Sequence, residues 1–289
     1  MKIIIQQISI FSLILYGIEC VVLNKPFLDQ FYPSGFVYEI VDLIGKNITS
    51  IDLDTFNGLS ETERLYLNTN KLTELKANTF IGLDNLIYLY FIRNQINSIE
   101  VGTFTGLFNL KYLYLMQNNL KAITTGMFNG LDELGYLWFN LNQIQTVEVN
   151  SFKNLIKLIS LGIDGNKLES IEPYTFSNIY KLENLNLNDN NLQGFDKSIF
   201  QSLKNLRTIR LNNNKLKRID SELFAGLARI RLIRLNSNEL ISIDRLAFVG
   251  LVNLEELYLD KNPITSLLPS SVKKLCSSNP KCFVFIGYN

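Results

Sequence analysis

Apolar and polar residues follow a fixed arrangement that recurs along most of the chain. In one copy, Leu110, Leu113 and Leu115 precede Asn118, and Phe128 follows at a set distance. Successive side chains of a strand point to opposite faces, and Leu113 and Leu115 flank a single residue. The pattern therefore predicts a short strand whose leucines face a core and whose intervening residue points outward.

The arrangement repeats every 24 residues. One such unit cannot bury its own leucines and phenylalanine, so a core forms only between stacked units. The sequence therefore predicts a solenoid with a parallel sheet, in which the repeated residues build the scaffold and carry no chemistry. The repeated asparagines are Asn70, Asn94, Asn118, Asn142, Asn166, Asn190, Asn214, Asn238 and Asn262. The repeated phenylalanines are Phe56, Phe80, Phe104, Phe128, Phe152, Phe176, Phe200, Phe224 and Phe248.

Two tight turns are expected in each unit. Asparagine suits the turn after the strand because its amide both donates to and accepts from backbone groups. The second turn lies two residues after each phenylalanine, where glycine predominates and a left-handed backbone is tolerated. Its residues are Gly58, Gly82, Gly106, Gly130, Asn154, Asn178, Ser202, Gly226 and Gly250.

This unit resembles the 24-residue extracellular class of leucine-rich repeat. The resemblance covers about residues 41–267, with an opening unit that carries Lys46 at the asparagine position and a last unit that breaks at Pro269. It implies an α/β-type solenoid shaped as a curved right-handed horseshoe, with a parallel β-sheet on the concave face. Short helical or irregular turns are expected on the convex face.

The domain organisation follows from these limits. Residues 1–19 carry one early cation, Lys2, and an apolar run, which is typical of a secretory signal peptide. A retained signal anchor is the alternative. Residues 20–40 are expected to form an amino-terminal cap, residues 41–268 a solenoid of about ten units, and residues 269–289 a carboxy-terminal cap. No later segment is long and apolar enough to cross a bilayer.

The residues that flank the inward leucine of each strand form outward columns, in which aromatic side chains cluster in the first half of the chain. Tyrosine and tryptophan are typical interface anchors, and Ile92 and Met116 adjoin them in the next column. We therefore predict a binding site for a protein ligand, although tyrosine in this position can also simply cover the sheet. The aromatic candidates are Tyr66, Tyr88, Tyr90, Tyr112, Tyr114, Tyr136 and Trp138.

A basic region follows between residues 200 and 234, where nine Lys and Arg face only Asp220 and Glu222. Within it, Arg210 and Arg234 fall on the strands and are candidate ligands of an anionic glycan. A solvated face balanced by acids elsewhere is the alternative. Over the whole chain, 28 Lys and Arg nearly balance 27 Asp and Glu, so no nucleic-acid partner is expected.

The composition argues against catalysis. The chain has no histidine, the commonest general base and metal ligand near neutral pH. Asp164, Asp260, Glu255 and Glu256 are the acids nearest the strands, but no nucleophile motif accompanies them. We expect no enzymatic activity, no metal site and no cofactor.

Export makes two modifications plausible. Asn47 is the acceptor of the sequence Asn-Ile-Thr, so we predict a glycan there. Three cysteines are present. A bridge between Cys276 and Cys282 would leave Cys20 free, paired with another chain, or removed with the signal.

The resemblance extends to Toll-type ectodomains, Slit-like proteins, small leucine-rich proteoglycans and secreted arthropod immune repeat proteins. It implies a secreted, extracellular protein that binds a protein ligand on its concave face, with innate immunity as the expected setting. An extracellular-matrix or adhesion component that binds sulfated glycans or fibres is the alternative. A third possibility is a fragment of a longer receptor ectodomain.

Overall fold

A computed structural model describes residues 20–264 and 282–286 of the chain. The expected signal peptide, Cys276 and most of the expected carboxy-terminal cap lie outside these residues. The chain divides into two compact units. The amino-terminal unit extends to Leu120 and includes Gly126–Leu134, and the carboxy-terminal unit comprises Lys121–Thr125 and the residues from Gly135 onward.

The amino-terminal unit is a stack of coils, each of which adds one strand to a parallel sheet. Residues 24 apart in the chain pair with each other, as Arg64 with Tyr88 and Tyr88 with Tyr112. The sheet is formed by β2 (Ile40–Asp42), β4 (Arg64–Tyr66), β6 (Tyr88–Tyr90) and β8 (Tyr112–Tyr114). Two smaller parallel pairs join β1 (Val21–Leu23) with β3 (Ile48–Ile51), and β5 (Glu74–Leu75) with β7 (Ser98–Ile99).

The carboxy-terminal unit repeats this construction. Its main sheet is formed by β10 (Tyr136–Trp138), β12 (Ser160–Gly162), β13 (Asn184–Asn186), β14 (Thr208–Arg210), β16 (Leu232–Arg234), β18 (Glu256–Tyr258) and β19 (Phe283–Phe285). Two short parallel pairs join β9 (Ala122–Ile123) with β11 (Thr146–Val147), and β15 (Arg218–Ile219) with β17 (Ser242–Ile243). Both units are therefore parallel-sheet solenoids with little helix, and the predicted fold class is confirmed.

The core of each unit lies between its coils. The central residue of each main-sheet strand from β2 to β18 is apolar and buried, and the repeated phenylalanines stack on one another, with 5.8 Å between the ring centroids of Phe56 and Phe80. The turn after each phenylalanine is irregular rather than helical. Six glycines at this position adopt the expected left-handed conformation, including Gly82 with φ of +96°.

The repeated asparagines connect successive coils. Oδ1 of Asn118 accepts a hydrogen bond from the Ile96 N–H at 3.0 Å, and Nδ2 donates to the carbonyl oxygen of Phe91 at 2.9 Å. Both partners belong to the preceding coil. The asparagine therefore satisfies backbone groups that would otherwise be buried without partners.

Residues 20–40 pack against the first coil. They contain the helix α1 (Lys25–Leu28), which is capped by Asn24 accepting from the Phe27 N–H at 2.9 Å. Leu28 is fully buried. The hydroxyl of Tyr32 accepts a hydrogen bond from the N–H of Asp42 at 2.7 Å. It thereby occupies a backbone donor of β2, an edge strand of this sheet. No helix in the described ranges is long and apolar enough to cross a membrane.

Candidate ligand-binding surface

The strand surface is formed by the side chains that flank the central residue of each main-sheet strand. In the amino-terminal unit it carries two rows of tyrosines. Their alternation with the leucines places them on the outward face, where each is partly exposed. We call this group the tyrosine cluster: Tyr66, Tyr88, Tyr90, Tyr112 and Tyr114.

The rings of the tyrosine cluster stack face to face. The ring centroids of Tyr66 and Tyr90 are 4.6 Å apart and those of Tyr90 and Tyr114 are 4.3 Å apart. In the second row, Tyr88 and Tyr112 are 4.4 Å apart with an interplanar angle of 9°. Because neighbouring rings cover one another's faces, the cluster presents ring edges and hydroxyl groups to a ligand.

The hydroxyls of Tyr90 and Tyr114 hold their protons more tightly than an exposed tyrosine does. Burial raises the pKa of Tyr90 well above its ordinary value, and the nearby Tyr114 raises it further. The pKa of Tyr114 is also raised by burial, although a hydrogen bond from Tyr90 lowers it in part. Tyr90 and Tyr114 therefore offer neutral hydroxyl groups, which can both donate and accept hydrogen bonds.

The second row of the tyrosine cluster ends on a cation. The guanidinium of Arg64 lies 5.0 Å from the centroid of the Tyr88 ring, a cation–π contact that covers that face. Ile92 and Met116 border the cluster and are both half-buried. The site thus combines hydroxyls, aromatic edges and modest apolar area.

In the carboxy-terminal unit, Tyr136 and Trp138 form an aromatic pair with ring centroids 5.6 Å apart. The indole occupies space that Gly162, its neighbour on β12, leaves open, since a Cβ there would lie 2.7 Å from Cδ1 of Trp138. The sequence alone did not predict a role for Gly162. Its place in register beside the single tryptophan of the chain was the available signal.

Acids from neighbouring coils neutralise part of the basic region. Arg207 pairs with Glu183 at 3.1 Å, and Arg231 pairs with Glu255 at 3.7 Å. Arg218 is also paired, with Asp220 at 3.0 Å. The excess of positive charge counted between residues 200 and 234 therefore overstates the charge available to a polyanion.

The surroundings of Asp164 change the acidity of its carboxyl. Burial raises the pKa of its carboxyl, although hydrogen bonds to the carboxylate lower it in part. The side-chain amides of Asn140 and Asn186 both donate to it, the latter at 2.7 Å. Catalysis by paired acids requires a second carboxyl in contact, whereas the side chains that hydrogen-bond to Asp164 are amides, and Asp189 and Arg210 act on it only electrostatically. No group of three or more potential metal-ligating side chains occurs in the described part of the chain.

Two family models match the sequence. A model described as leucine rich repeat matches residues 39–96 and 88–138, and one described as BspA type leucine rich repeat region matches residues 145–275 in six copies. The chain therefore belongs to the leucine-rich repeat proteins, a class whose folds typically serve as binding modules. No curated protein matches it.

Several solved structures share the fold. TLR13 in its complex with ssRNA13 has a TM-score of 0.74 and 26% identity over 83% of this chain and 36% of that chain. A leucine-rich repeat protein of Leptospira interrogans has a TM-score of 0.66 and 26% identity over 82% of this chain and 60% of that chain. Drosophila Toll in its complex with Spatzle has a TM-score of 0.66 and 19% identity over 88% of this chain and 40% of that chain.

The chain thus spans 36% to 60% of the length of these three solved chains. It is a leucine-rich repeat protein similar to Toll-type ectodomains.

Proposed function

We propose that this protein is an extracellular, non-catalytic recognition protein that captures a protein ligand on its strand surface. The observation that carries the proposal is the tyrosine cluster, in which Tyr66, Tyr90 and Tyr114 stack with centroids less than 5 Å apart. Rigid, amphipathic tyrosines provide large contact area at a low entropic cost, and their hydroxyls suit the backbone amides of a protein partner. Tyr136 and Trp138 supply a second anchor.

The stacked geometry favours a protein over a planar ligand such as a nucleic-acid base. A base binds most strongly when an aromatic side chain offers it a free face. In the cluster, the faces of Tyr90 are covered by Tyr66 and Tyr114, and Arg64 covers one face of Tyr88. Ring edges and hydroxyls remain for contact.

The matrix or adhesion role is the weaker candidate because ion pairs occupy part of the basic region. Arg207 and Arg231 each have an acidic partner, so a sulfated glycan would have to displace Glu183 and Glu255. An innate immune setting is favoured by the similarity to Toll-type ectodomains. The same similarity, with the short span of this chain on those structures, keeps a receptor ectodomain fragment as an alternative.

Extracellular location has its own test. Expression in a eukaryotic secretory pathway should release the protein into the medium, with residues 1–19 removed and a glycan on Asn47. Asn47 is half-buried and directly precedes β3, and Thr49 of the acceptor sequence donates to the carbonyl oxygen of Val21 at 3.3 Å. Thr49→Val should abolish the glycan, and mass spectrometry would detect the loss. The same spectra would show whether Cys276 and Cys282 are bridged.

The recognition test is affinity capture from the native extracellular fluid followed by mass spectrometry. The wild-type protein is compared with a variant carrying Tyr88→Ala, Tyr112→Ala and Tyr136→Ala. We expect a protein partner that binds the wild type and is lost with the variant. A matched control removes two exposed tyrosines outside the strand surface, with Tyr174→Ala and Tyr180→Ala, and should retain the partner.

A second variant tests the contribution of the hydroxyl groups separately from that of the rings. Phenylalanine at positions 88, 112 and 136 keeps the stacked rings and removes the hydrogen-bonding groups, so we expect partial loss of the partner. Equal recovery of every partner by the triple alanine variant would contradict the proposal. Recovery of polyanions alone would favour the matrix role.

A further inference from the structure

Two arginines of the carboxy-terminal unit differ from nearby arginines because no acidic side chain pairs with them in the described residues. Arg210 on β14 and Arg234 on β16 are in register on adjacent strands, and both are half-buried. Neither forms an ion pair within residues 20–264 and 282–286. Arg207 and Arg231, on the same two coils, each have an acidic partner.

The proximity of these cations is unfavourable without an anion. Adjacent strands are about 4.8 Å apart, so the two side chains share one small region of the strand surface. Burial lowers the pKa of Arg210 and the charge of Arg234 lowers it further, although the carboxylate of Asp164 raises it in part. An arginine nevertheless remains charged at neutral pH. A negatively charged group placed between Arg210 and Arg234 would relieve this repulsion.

Arg234 is held in place from one side. Its guanidinium lies 5.0 Å from the centroid of the Tyr258 ring, and its Nε is buried without a hydrogen-bond partner. The Tyr258 ring in turn stacks on Phe285 with centroids 4.2 Å apart and an angle of 5°. Tyr258 is anchored by its hydroxyl, which donates to Glu256 at 2.8 Å. The guanidinium is therefore positioned before any ligand arrives.

An open cleft of about 510 Å³ lies beside this stack. We call it the Arg234 cleft; it is lined by Arg234, Asn236, Tyr258, Asp260, Phe285 and Ile286. One end is cationic and the other is apolar, since Phe285 and Ile286 are 43% and 37% exposed. Asp260 and the nearby Glu256 disfavour a second anion. The chemistry matches one carboxylate beside one apolar group and does not match a densely charged polyanion.

We propose that the Arg234 cleft binds an extended peptide segment of a protein partner, with an acidic side chain at Arg234 and Arg210 and an apolar side chain against Phe285 and Ile286. In an extended segment, residues i and i+2 lie on the same face. A glutamate and a leucine separated by one residue would therefore reach both ends of the cleft together.

This site deepens the proposed function, on which its physiological role rests, but its chemistry can be tested alone. The probe is the capped peptide acetyl-Gly-Ser-Glu-Ser-Leu-Ser-Gly-amide, and calorimetry measures its dissociation constant. Matched peptides carry glutamine in place of glutamate, or serine in place of leucine. Because charge-assisted hydrogen bonds are lost, we expect the glutamine peptide to bind at least tenfold more weakly.

Protein variants locate the effect. Arg234→Gln and, independently, Arg210→Gln should weaken the glutamate peptide at least tenfold and remove its advantage over the glutamine peptide. The matched control Arg218→Gln makes the same charge change at an exposed arginine paired with Asp220, and should leave binding within twofold. Phe285→Ala should weaken the leucine peptide and leave the serine peptide unchanged.

Three results would overturn the assignment. They are absence of measurable binding to the wild type at millimolar peptide, equal binding of the glutamate and glutamine peptides, and equal weakening by Arg218→Gln and Arg234→Gln. The triple alanine variant at Tyr88, Tyr112 and Tyr136 should bind the peptide normally. Failure of the tyrosine test and failure of this one are therefore distinguishable.

Discussion

The side-chain oxygen of Asn94 accepts a hydrogen bond at 3.1 Å from the backbone N–H of Leu72, which lies 22 residues earlier in the chain. The amide nitrogen of Asn94 donates to the carbonyl oxygen of Leu67 at 2.9 Å and to that of Phe91 at 3.1 Å. One side chain therefore joins its own coil to the preceding one. Each of these bonds lies in the interior, where water cannot replace it.

Asn94→Ala should lower the free energy of unfolding by several kcal/mol, at about 1–3 kcal/mol for each buried backbone group left unpaired. Urea unfolding followed by circular dichroism measures the change. Asn97→Ala is the matched control, because Asn97 is exposed and lies outside the turn. We expect it to change stability by less than about 0.5 kcal/mol. Similar losses for the two variants would contradict the role assigned to Asn94.

Gly82→Ala should destabilise the protein more than Gly58→Ala. Both glycines have positive φ, +96° at Gly82 and +87° at Gly58, so alanine is strained at either position. A Cβ at Gly82 would also lie 2.9 Å from the carbonyl oxygen of Phe56, whereas at Gly58 it would meet nothing within 4 Å. The difference between the two urea midpoints isolates the steric contact, and equal midpoints would show that the backbone relaxes freely.

Gly162→Ala should displace the indole of Trp138. The new Cβ would lie 2.7 Å from Cδ1 of Trp138 and 2.9 Å from Oδ1 of Asn140. Trp138 is the single tryptophan in the sequence, so its fluorescence reports the change directly. We expect a shift in the emission maximum of Gly162→Ala. Gly194→Ala, where a Cβ meets nothing within 4 Å, should leave the emission unchanged.

Asp164 should make stability fall as pH rises. Burial raises the pKa of its carboxyl in the folded protein above the ordinary value of 3.8, so the folded state binds the proton more tightly than the unfolded state. Its contribution is greatest below pH 3.8 and is lost as pH rises through the folded-state pKa. Asp164→Asn keeps an oxygen that accepts hydrogen bonds and should make the urea midpoint depend less on pH over this range. An unchanged slope of midpoint against pH would contradict this prediction.

The sequence was sufficient to predict the fold because its spacing encodes the ladder contacts. Residues 24 apart become partners on adjacent strands, as Arg64 and Tyr88 do. The buried leucines and the repeated asparagines could be identified for the same reason. The convex turns were expected to be helical or irregular, and the irregular form occurs because each turn is too short for helical hydrogen bonds to propagate.

The candidate site was harder to predict because it depends on side-chain geometry. The sequence located the tyrosines but not their face-to-face stacking, which changes what a ligand can contact. The charge count in the basic region considered neighbours along the chain, whereas Glu183 and Glu255 act from adjacent coils. Each lies 24 residues from its arginine, so a count taken at the repeat spacing would have found both.

The repeated asparagines form hydrogen bonds with the preceding coil, and this has a consequence for how the protein is made. Asn118 hydrogen-bonds to the N–H of Ile96 and the carbonyl oxygen of Phe91 in the preceding coil. The turn of that preceding coil therefore cannot close until Asn118 has left the ribosome. Translation delivers the chain from its amino terminus at about 5–20 residues per second. Each new coil therefore completes its predecessor a few seconds after the predecessor emerges. Folding can follow synthesis with a constant delay of one coil, and on a stalled ribosome only the last of the emerged coils would be unfinished.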